Sequence, residues 1–377
     1  MKLLINFVRV FVGVLFIFSG LVKANDPLGL SYKMQEFFEL WNMHFLNAYT
    51  LSFSIIMIAF EIVAGVALLV GWQMRLFSWL LLILIIFFTF LTGYAVITGT
   101  PKECGCFGNC IPLTSDQSFM KDLLLLALIL LLLVFRKKIQ PLFSAKGSII
   151  VLFFSTVFTL AFMWYALVHL PVVDCLAYKE GNSILGGMKV PEGARPDSTV
   201  ITFVYKKGGQ DMEFTADKFP EDFSDSLYTF VKRYDKVVRR GNAEPAIKDF
   251  ALTNQKGEPM TETVLSGEGY KLLLFLRSDY PQGEWLTYLD MIAQTASANA
   301  IGREIVTSIN LETLYKNPPP VFYKFNAVLC DATVIKTTAR ANPTLFLLNR
   351  DTIVKKWSYA DMDAALKYIS KMYPKPY

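Results

Sequence analysis

Five cysteines, Cys104, Cys106, Cys110, Cys175 and Cys330, are the residues of this 377-residue chain best suited to chemistry. Three of them crowd into Pro101-Lys-Glu-Cys104-Gly-Cys106-Phe-Gly108-Asn-Cys110-Ile-Pro112. Glycines at 105 and 108 let so short a segment turn tightly. A bond between Cys104 and Cys106 would close a very small ring, far from relaxed disulfide geometry, and would be oxidising and readily exchanged. Lys102 favours thiolate over thiol nearby. Three uses stand side by side. One is a thiol–disulfide relay in which Cys104 and Cys106 exchange and Cys110 or Cys175 resolves. Another is a structural staple between this segment and Cys175. The third is a metal site completed by His44 or His169, against which the Cys-x-Cys-x3-Cys spacing counts, since it matches no standard zinc pair. Four cysteines allow three pairings, and spacing does not choose among them. Cys330 lies in an expected strand and reads as buried and inert.

Two charges sit inside apolar runs. Glu61, in Ala59-Phe-Glu-Ile-Val-Ala-Gly65, is near the middle of one, where a carboxylate is expensive and a functional candidate. Arg9 lies about a turn and a half inside another, and in an antiparallel neighbour its long guanidinium is expected to reach Glu61. The pair either fixes helix packing or belongs to a proton or quinone site in the bundle.

The elements that must position these groups are membrane helices. The chain is 53% hydrophobic and only 18% charged, against about 25% charged in soluble domains. Apolar runs cover Leu3 to Val22, Leu51 to Val70, Leu76 to Ile97, Phe119 to Phe135 and Ile149 to Leu170, each near the roughly 20 residues that span a bilayer. Arg9 and the runs that follow argue for a retained first helix rather than a cleaved signal peptide. Arg136, Lys137, Lys138 and Lys146, in a connection without acids, are expected to stay in the cytoplasm. An odd number of spans then leaves the N-terminus cytoplasmic and puts all five cysteines and everything after Leu170 outside, where disulfides persist. The net charge of +5 comes from scattered residues and from this one cluster, so the expected partner is the lipid bilayer and not a nucleic acid. Small residues at Gly13, Gly20, Gly65 and Gly71 suit close helix contacts.

Two segments carry a family resemblance. Arg9-Val-Phe-Val-Gly13-Val-Leu-Phe-Ile-Phe-Ser19-Gly20-Leu-Val-Lys23-Ala-Asn-Asp26-Pro27-Leu-Gly29 resembles the first span of the DoxX family. Cys104-Gly-Cys106-Phe-Gly108 resembles the outer loop of the related MauE-like, redox-associated membrane proteins. Glu61 and Gly65 fit that superfamily's acidic position in the second span. The resemblance covers roughly residues 4 to 140, and the long form is similar to DoxX-family proteins of Bacteroidetes-type bacteria. It implies a four-helix bundle, quinone or sulfur redox and disulfide handling for exported proteins, with Cys104 and Cys106 as the redox pair. Cys110 is an addition to the usual motif, so 106/110 is an alternative working pair.

After Leu170 the composition becomes that of a soluble protein. Val200 to Thr215 reads as two strands joined at Gly208-Gly209. Glu244-Pro245 through Asp249-Phe250 to Gly257 resembles the start of peroxiredoxin and thioredoxin-like domains. Lys271 to Arg277 suits a central strand, a helix follows from Glu284, and Glu304 to Ile309 reads as another strand. Leu311 to Phe325 reads partly as helix, and Asn342 to Trp357 as a proline-led strand, turn and strand. The resemblance implies a cis Pro343. Where such a fold carries its active site, this chain has Arg277-Ser-Asp-Tyr-Pro281-Gln-Gly-Glu and no cysteine, so the domain does no dithiol chemistry by that route.

The expected architecture is a multi-pass α-helical membrane bundle of about five spans followed by an α/β thioredoxin-like extracytoplasmic domain. Its parts are a four-helix membrane domain (1–140), a fifth transmembrane helix (141–170), a β-rich connecting segment (171–242) and a thioredoxin-like domain lacking the CxxC motif (243–377). The expected function, in the inner membrane with the C-terminal domain in the periplasm, is thiol–disulfide or quinone-linked redox. Its catalytic candidates are Cys104, Cys106, Cys110 and Cys175, Glu61 and Arg9 lie at the quinone, and an exported thiol protein is the partner. The rival is a non-enzymatic scaffold or assembly factor with structural disulfides and a docking domain. A transporter is disfavoured by the lack of paired broken helices or an internal repeat.

Overall fold

The computed structural model describes residues 2–101, 108, 110–111, 113–196, 198–216, 218–220, 222–224, 226–239, 241 and 243–373. They fall into two compact units, Met1–Gly181 with Ala251–Tyr377, and Asn182–Phe250.

The first unit begins with α1 (Lys2–Ala24), α2 (Pro27–Leu40), a 3-10 turn (His44–Tyr49), α3 (Thr50–Val70), α4 (Met74–Thr98), α5 (Ser115–Phe135) and α6 (Ala145–Val168). All but α2 and the turn are long and apolar enough to cross a membrane, and outward residues such as Phe7, Ile83, Phe90, Val134 and Phe153 are exposed. Such a surface is stable only against lipid chains, so the chain is a membrane protein with five apolar helices.

Local signals set the helix ends. Thr114 and Gln117 form a reciprocal capping box on α5, and the Ser144 hydroxyl accepts from Gly147 N on α6. These caps, together with the unbroken first helix, carry the observed helices a few residues past the apolar runs. The Asn25 to Thr50 connection, expected only as a loop, contains α2. Asp26 accepts from Gly29 N at its start and Pro27 occupies its first turn, a favourable combination.

α1 and α3 run antiparallel and very close. A Cβ on Gly65 would lie 2.8 Å from the Gly13 carbonyl oxygen, and one on Gly20 would lie 2.4 Å from Ile62. Val12, Leu68, Leu81, Ile85, Ile129 and Leu132 fill the space between the spanning helices.

The same unit ends in an α/β region. It comprises α8 (Thr261–Ser266, the short α7 belonging to the second unit), β4 (Tyr270–Leu276), α9 (Trp285–Ala298), β5 (Gly302–Thr307), α10 (Leu311–Leu314) and β6 (Asn326–Leu329). α11 (Ala332–Thr338), β7 (Thr344–Asn349), β8 (Thr352–Ser358) and α12 (Met362–Met372) complete it. The sheet order is β6-β5-β4-β7-β8. β4, β5 and β6 are parallel, and β7 and β8 antiparallel to their neighbours. β4 is central and buried on both faces, which its uninterrupted Leu-Leu-Leu-Phe-Leu requires. α9 and α12 bring Leu289, Ile292, Ala365 and Ile369 onto one face. The Asn342–Pro343 bond is cis. Residues just after α6 join this region, with Gly181 N donating to Ile353 O at 2.7 Å.

The second unit holds α7 (Ile184–Gly187), β1 (Ser198–Lys207), β2 (Gln210–Thr215) and β3 (Thr229–Arg239). Its antiparallel sheet has the order β2-β1-β3, and Lys207 faces Gln210 across the Gly208–Gly209 turn. Positive φ at both glycines is what such a hairpin demands. Tyr205 packs among Phe219, Phe223, Tyr228 and Phe230.

Candidate functional site

A buried charged cluster lies where α1 and α3 meet. The Lys23 ammonium donates to Glu61 Oε1 at 2.6 Å and Oε2 at 2.7 Å and to Ser19 Oγ at 3.1 Å. The side chains of the pair are 3% and 1% exposed. Ser19 and Lys23 stand one helical turn apart and so share the face of α1 turned to Glu61.

The expected contact between Arg9 and Glu61 is not made. With Gly13 opposite Gly65, Arg9 lies one turn further along α1, beside Gly71, and its guanidinium donates to Gln140 O at 3.3 Å. Glu61 therefore faces the other end of α1. The apolar run ends at Val22, which leaves Lys23 just past the edge of the expected span. Helix α1 continues through Ala24 and keeps Lys23 inside. Ser19 four residues earlier was the available signal.

A second buried acid, Asp122 on α5, was also not foreseen. Its Oδ2 accepts from Thr92 Oγ1 at 3.1 Å, and Lys121 Nζ lies 2.7 Å from its Oδ1. Between α2, α3 and α4 is a pocket of about 480 Å³, with Lys23 and Thr92 as polar wall groups and Trp41, Phe38, Phe60 and Phe88 among its apolar ones. Lys23 Nζ stands 4.9 Å from the Phe88 ring centroid.

Of the cysteine candidates, Cys110 and Cys175 are brought together in a disulfide with a Cα–Cα distance of 4.8 Å. It ties the connection between α4 and α5 to the segment after α6. Cys104 and Cys106 lie outside the described residues. Gly108 is described, and a methyl group there would meet Val22 at 3.7 Å, so Gly108 lies at the end of α1, next to the residue before Lys23. His169 Nδ1–H donates to Asp361 Oδ1 at 2.8 Å, and the ring stacks on Tyr165. Bonded to Cys175, the Cys110 sulfur is not available as a ligand to the metal site considered from Cys104, Cys106 and Cys110 with His44 or His169.

The α/β region is fastened to the same end of the bundle. Arg340, 5% exposed, pairs with Asp26 at 2.9 Å, donates to Lys336 O and Thr337 O, and covers the Tyr32 ring. Asn25 exchanges two hydrogen bonds with the Val173 backbone, at 2.8 and 2.9 Å. Burial pushes the Tyr32 hydroxyl above the usual tyrosine range, while Arg277 and Arg340 pull it back down. Burial likewise lowers the Lys356 ammonium, against the opposing pull of its partner Asp174. Beside this junction, Asn342 accepts from Arg277 N and donates to Asp279 Oδ1, both at 2.9 Å.

Cys330 is buried and its thiol is pushed up to about 12, chiefly by desolvation. Only the thiolate is a competent nucleophile. Cys330 should therefore resist N-ethylmaleimide at pH 8 in the folded protein and be fully modified in denaturant, as read by mass spectrometry.

Residues 1–135 match the family profile of methylamine utilisation protein MauE. Residues 199–240, within the three-stranded sheet unit, match a domain of unknown function, DUF8463. No curated protein matches the sequence. The MauE match runs from the start of α1 to the end of α5 and takes in Lys23, Glu61, Asp122 and the cysteine segment, so the membrane bundle of this protein is MauE-like.

Proposed function

We propose that this MauE-like membrane protein takes part in thiol–disulfide redox on the outer side of the cytoplasmic membrane. The observation that carries the reading is the Cys110–Cys175 disulfide, fastened at the end of the bundle where Lys23 and Glu61 are buried. The basic connection from Arg136 to Lys146 supports a cytoplasmic location for the opposite end, which puts the disulfide and the C-terminal region in the periplasm. Cys104 and Cys106 form the exchanging pair, with Cys110 or Cys175 resolving, or with the Cys110–Cys175 bond kept as a fixed staple.

In the oxidising direction two thiols of an exported protein become a disulfide, and the cysteine pair takes up their two electrons and two protons. Reoxidation of the pair needs an acceptor of two electrons and two protons, and a quinone held in the bundle near Glu61 would supply that chemistry. The strand order β6-β5-β4-β7-β8 supports a thioredoxin-like reading of the α/β region. With no cysteine at the end of β4, its role is to hold or orient the exported protein.

Differential alkylation of intact cells with a membrane-impermeant thiol reagent tests this. Cys104 and Cys106 should shift between labelled and protected as the quinone pool is reduced or oxidised. Cys104→Ser and Cys106→Ser should leave exported proteins more reduced. Cysteines locked in one state, with no change in exported proteins, would support the rival scaffold instead. That rival draws on one observation of its own, the Asp26–Arg340 ion pair, which uses the α/β region as an anchor.

A further inference from the structure

Arg9 is a buried charge for which the chain supplies no acid. It is 6% exposed, and its guanidinium makes a single hydrogen bond, from Nη1 to Gln140 O at 3.3 Å. Nε is sealed inside with no partner. Nη2 also lacks a partner among the described residues but is not sealed, so it is the donor that an incoming group meets first. Lys23 and Arg340, buried to a similar degree, each grip a carboxylate. A buried cation without one is left with uncompensated desolvation. The C-terminal end of α3 stands beside Arg9 at Gly71, and its partial charge of about −0.5 offsets only part of the guanidinium. The remainder calls for an anion.

The surroundings say which anion. This is the end of the bundle opposite the disulfide, where the connection from α5 to α6 passes Arg9. Gln140 O accepts from the guanidinium, and Leu142 N donates to Val70 O at 2.8 Å. The same connection begins with Arg136-Lys137-Lys138, of which Lys137 and Lys138 are exposed. It continues to Leu142 and Phe143, 63% and 51% exposed. Lys2, Arg75 and Lys146 add charge at this end, and the sequence holds no acid before Asp26, from 62 to 102 or from 123 to 173. Unopposed basic groups favour a phosphate, and Arg takes one through two parallel N–H bonds. Exposed apolar side chains on the same short connection favour a phosphate that carries hydrocarbon chains. Basic pockets between membrane helices bind lipid headgroups by this chemistry.

We propose that this end of the bundle holds the phosphate of an anionic phospholipid. Arg9 is the buried anchor, Lys137 and Lys138 are the surface contacts, and the acyl chains lie beside Leu142 and Phe143. The site is independent of the redox chemistry proposed for the opposite end.

Native mass spectrometry of the full-length protein in detergent micelles tests this. The protein is titrated with dioctanoyl phosphatidylglycerol and, in parallel, with dioctanoyl phosphatidylcholine. One saturable phosphatidylglycerol adduct is expected, about tenfold tighter than phosphatidylcholine. Arg9→Gln should weaken it by about tenfold through loss of the charge-assisted contact, with circular dichroism unchanged. Lys33→Gln removes the same charge at the other end of the bundle and should leave binding within about twofold. Inorganic phosphate in large excess should not displace the lipid.

Equal binding of the two lipids overturns the proposal, and so does equal weakening by Arg9→Gln and Lys33→Gln, which would reduce the effect to net charge. Full displacement by inorganic phosphate would make the site one for free phosphate and overturn the lipid assignment. If Arg9→Gln does not fold, the Lys137→Gln/Lys138→Gln variant decides, since both side chains are exposed. Weaker phosphatidylglycerol binding by that variant supports the site, and unchanged binding overturns it.

Discussion

Lys23→Met should destabilise the bundle by roughly 3–5 kcal/mol, the usual cost of stripping one partner from a buried ion pair. The Lys23→Met/Glu61→Leu double variant should recover most of that loss. Lys23 and Glu61 are almost completely enclosed, and the carboxylate has both oxygens within 2.7 Å of the ammonium. Removing Lys23 leaves the buried Glu61 carboxylate with the Ser19 hydroxyl at 3.3 Å, too little to offset its desolvation. Replacing both charges removes the demand altogether, and apolar side chains of similar volume often do as well as the pair. Thermal unfolding in micelles, followed for both single variants and the double, checks this. A double variant as unstable as Lys23→Met would show that the pair is not what the cluster contributes.

Gly65→Val should separate α1 from α3 and cost about 1–3 kcal/mol, the range for overpacking a close contact. A Cβ at Gly65 would meet the Gly13 carbonyl oxygen at 2.8 Å and Ile17 N at 3.1 Å, and neither backbone atom can rotate away. Helices in lipid associate largely through such close approach. The loss should spread to the Lys23–Glu61 contact, which lies one turn along the same interface. Lowered thermal stability, read by unfolding in micelles, is expected. Gly147→Val, at the exposed first turn of α6 where the nearest obstacle is the Phe143 side chain, should be nearly neutral.

The sequence made the membrane helices plain because an apolar run of the right length has few alternatives in water or lipid. The Gly208–Gly209 hairpin and the continuous apolar β4 were equally legible, each resting on a local requirement. What escaped were partners set by helix register. Whether Glu61 meets Arg9 or Lys23 depends on how far α1 slides along α3, and that is decided by the Gly13–Gly65 contact, not by distance from a span end. Asp122 lies within the apolar run Phe119 to Phe135, and its burial against Thr92 of α4 depends on how α5 packs on α4, which the run itself does not show. β3 was missed because Lys232, Arg233 and Asp235 interrupt its apolar residues, and its pairing with β1 is non-local. Among the cysteines, spacing left three pairings open. The bond between Cys110 and Cys175 depends on α5 and α6 returning the chain to the same end of the bundle.

Helix α2 is pinned at its first residues and forms a pocket wall along its length. Asp26 at its start is gripped by Arg340 of the α/β region, while Phe38 near its end, and Trp41 just beyond it, border the pocket. Its 14 residues make a rod about 21 Å long. A tilt of about 10° at the gripped end would carry the far end by about 4 Å, close to the thickness of an aromatic ring. A small rotation at the Asp26–Arg340 contact would thus be multiplied along α2 by the time it reached Phe38 and Trp41.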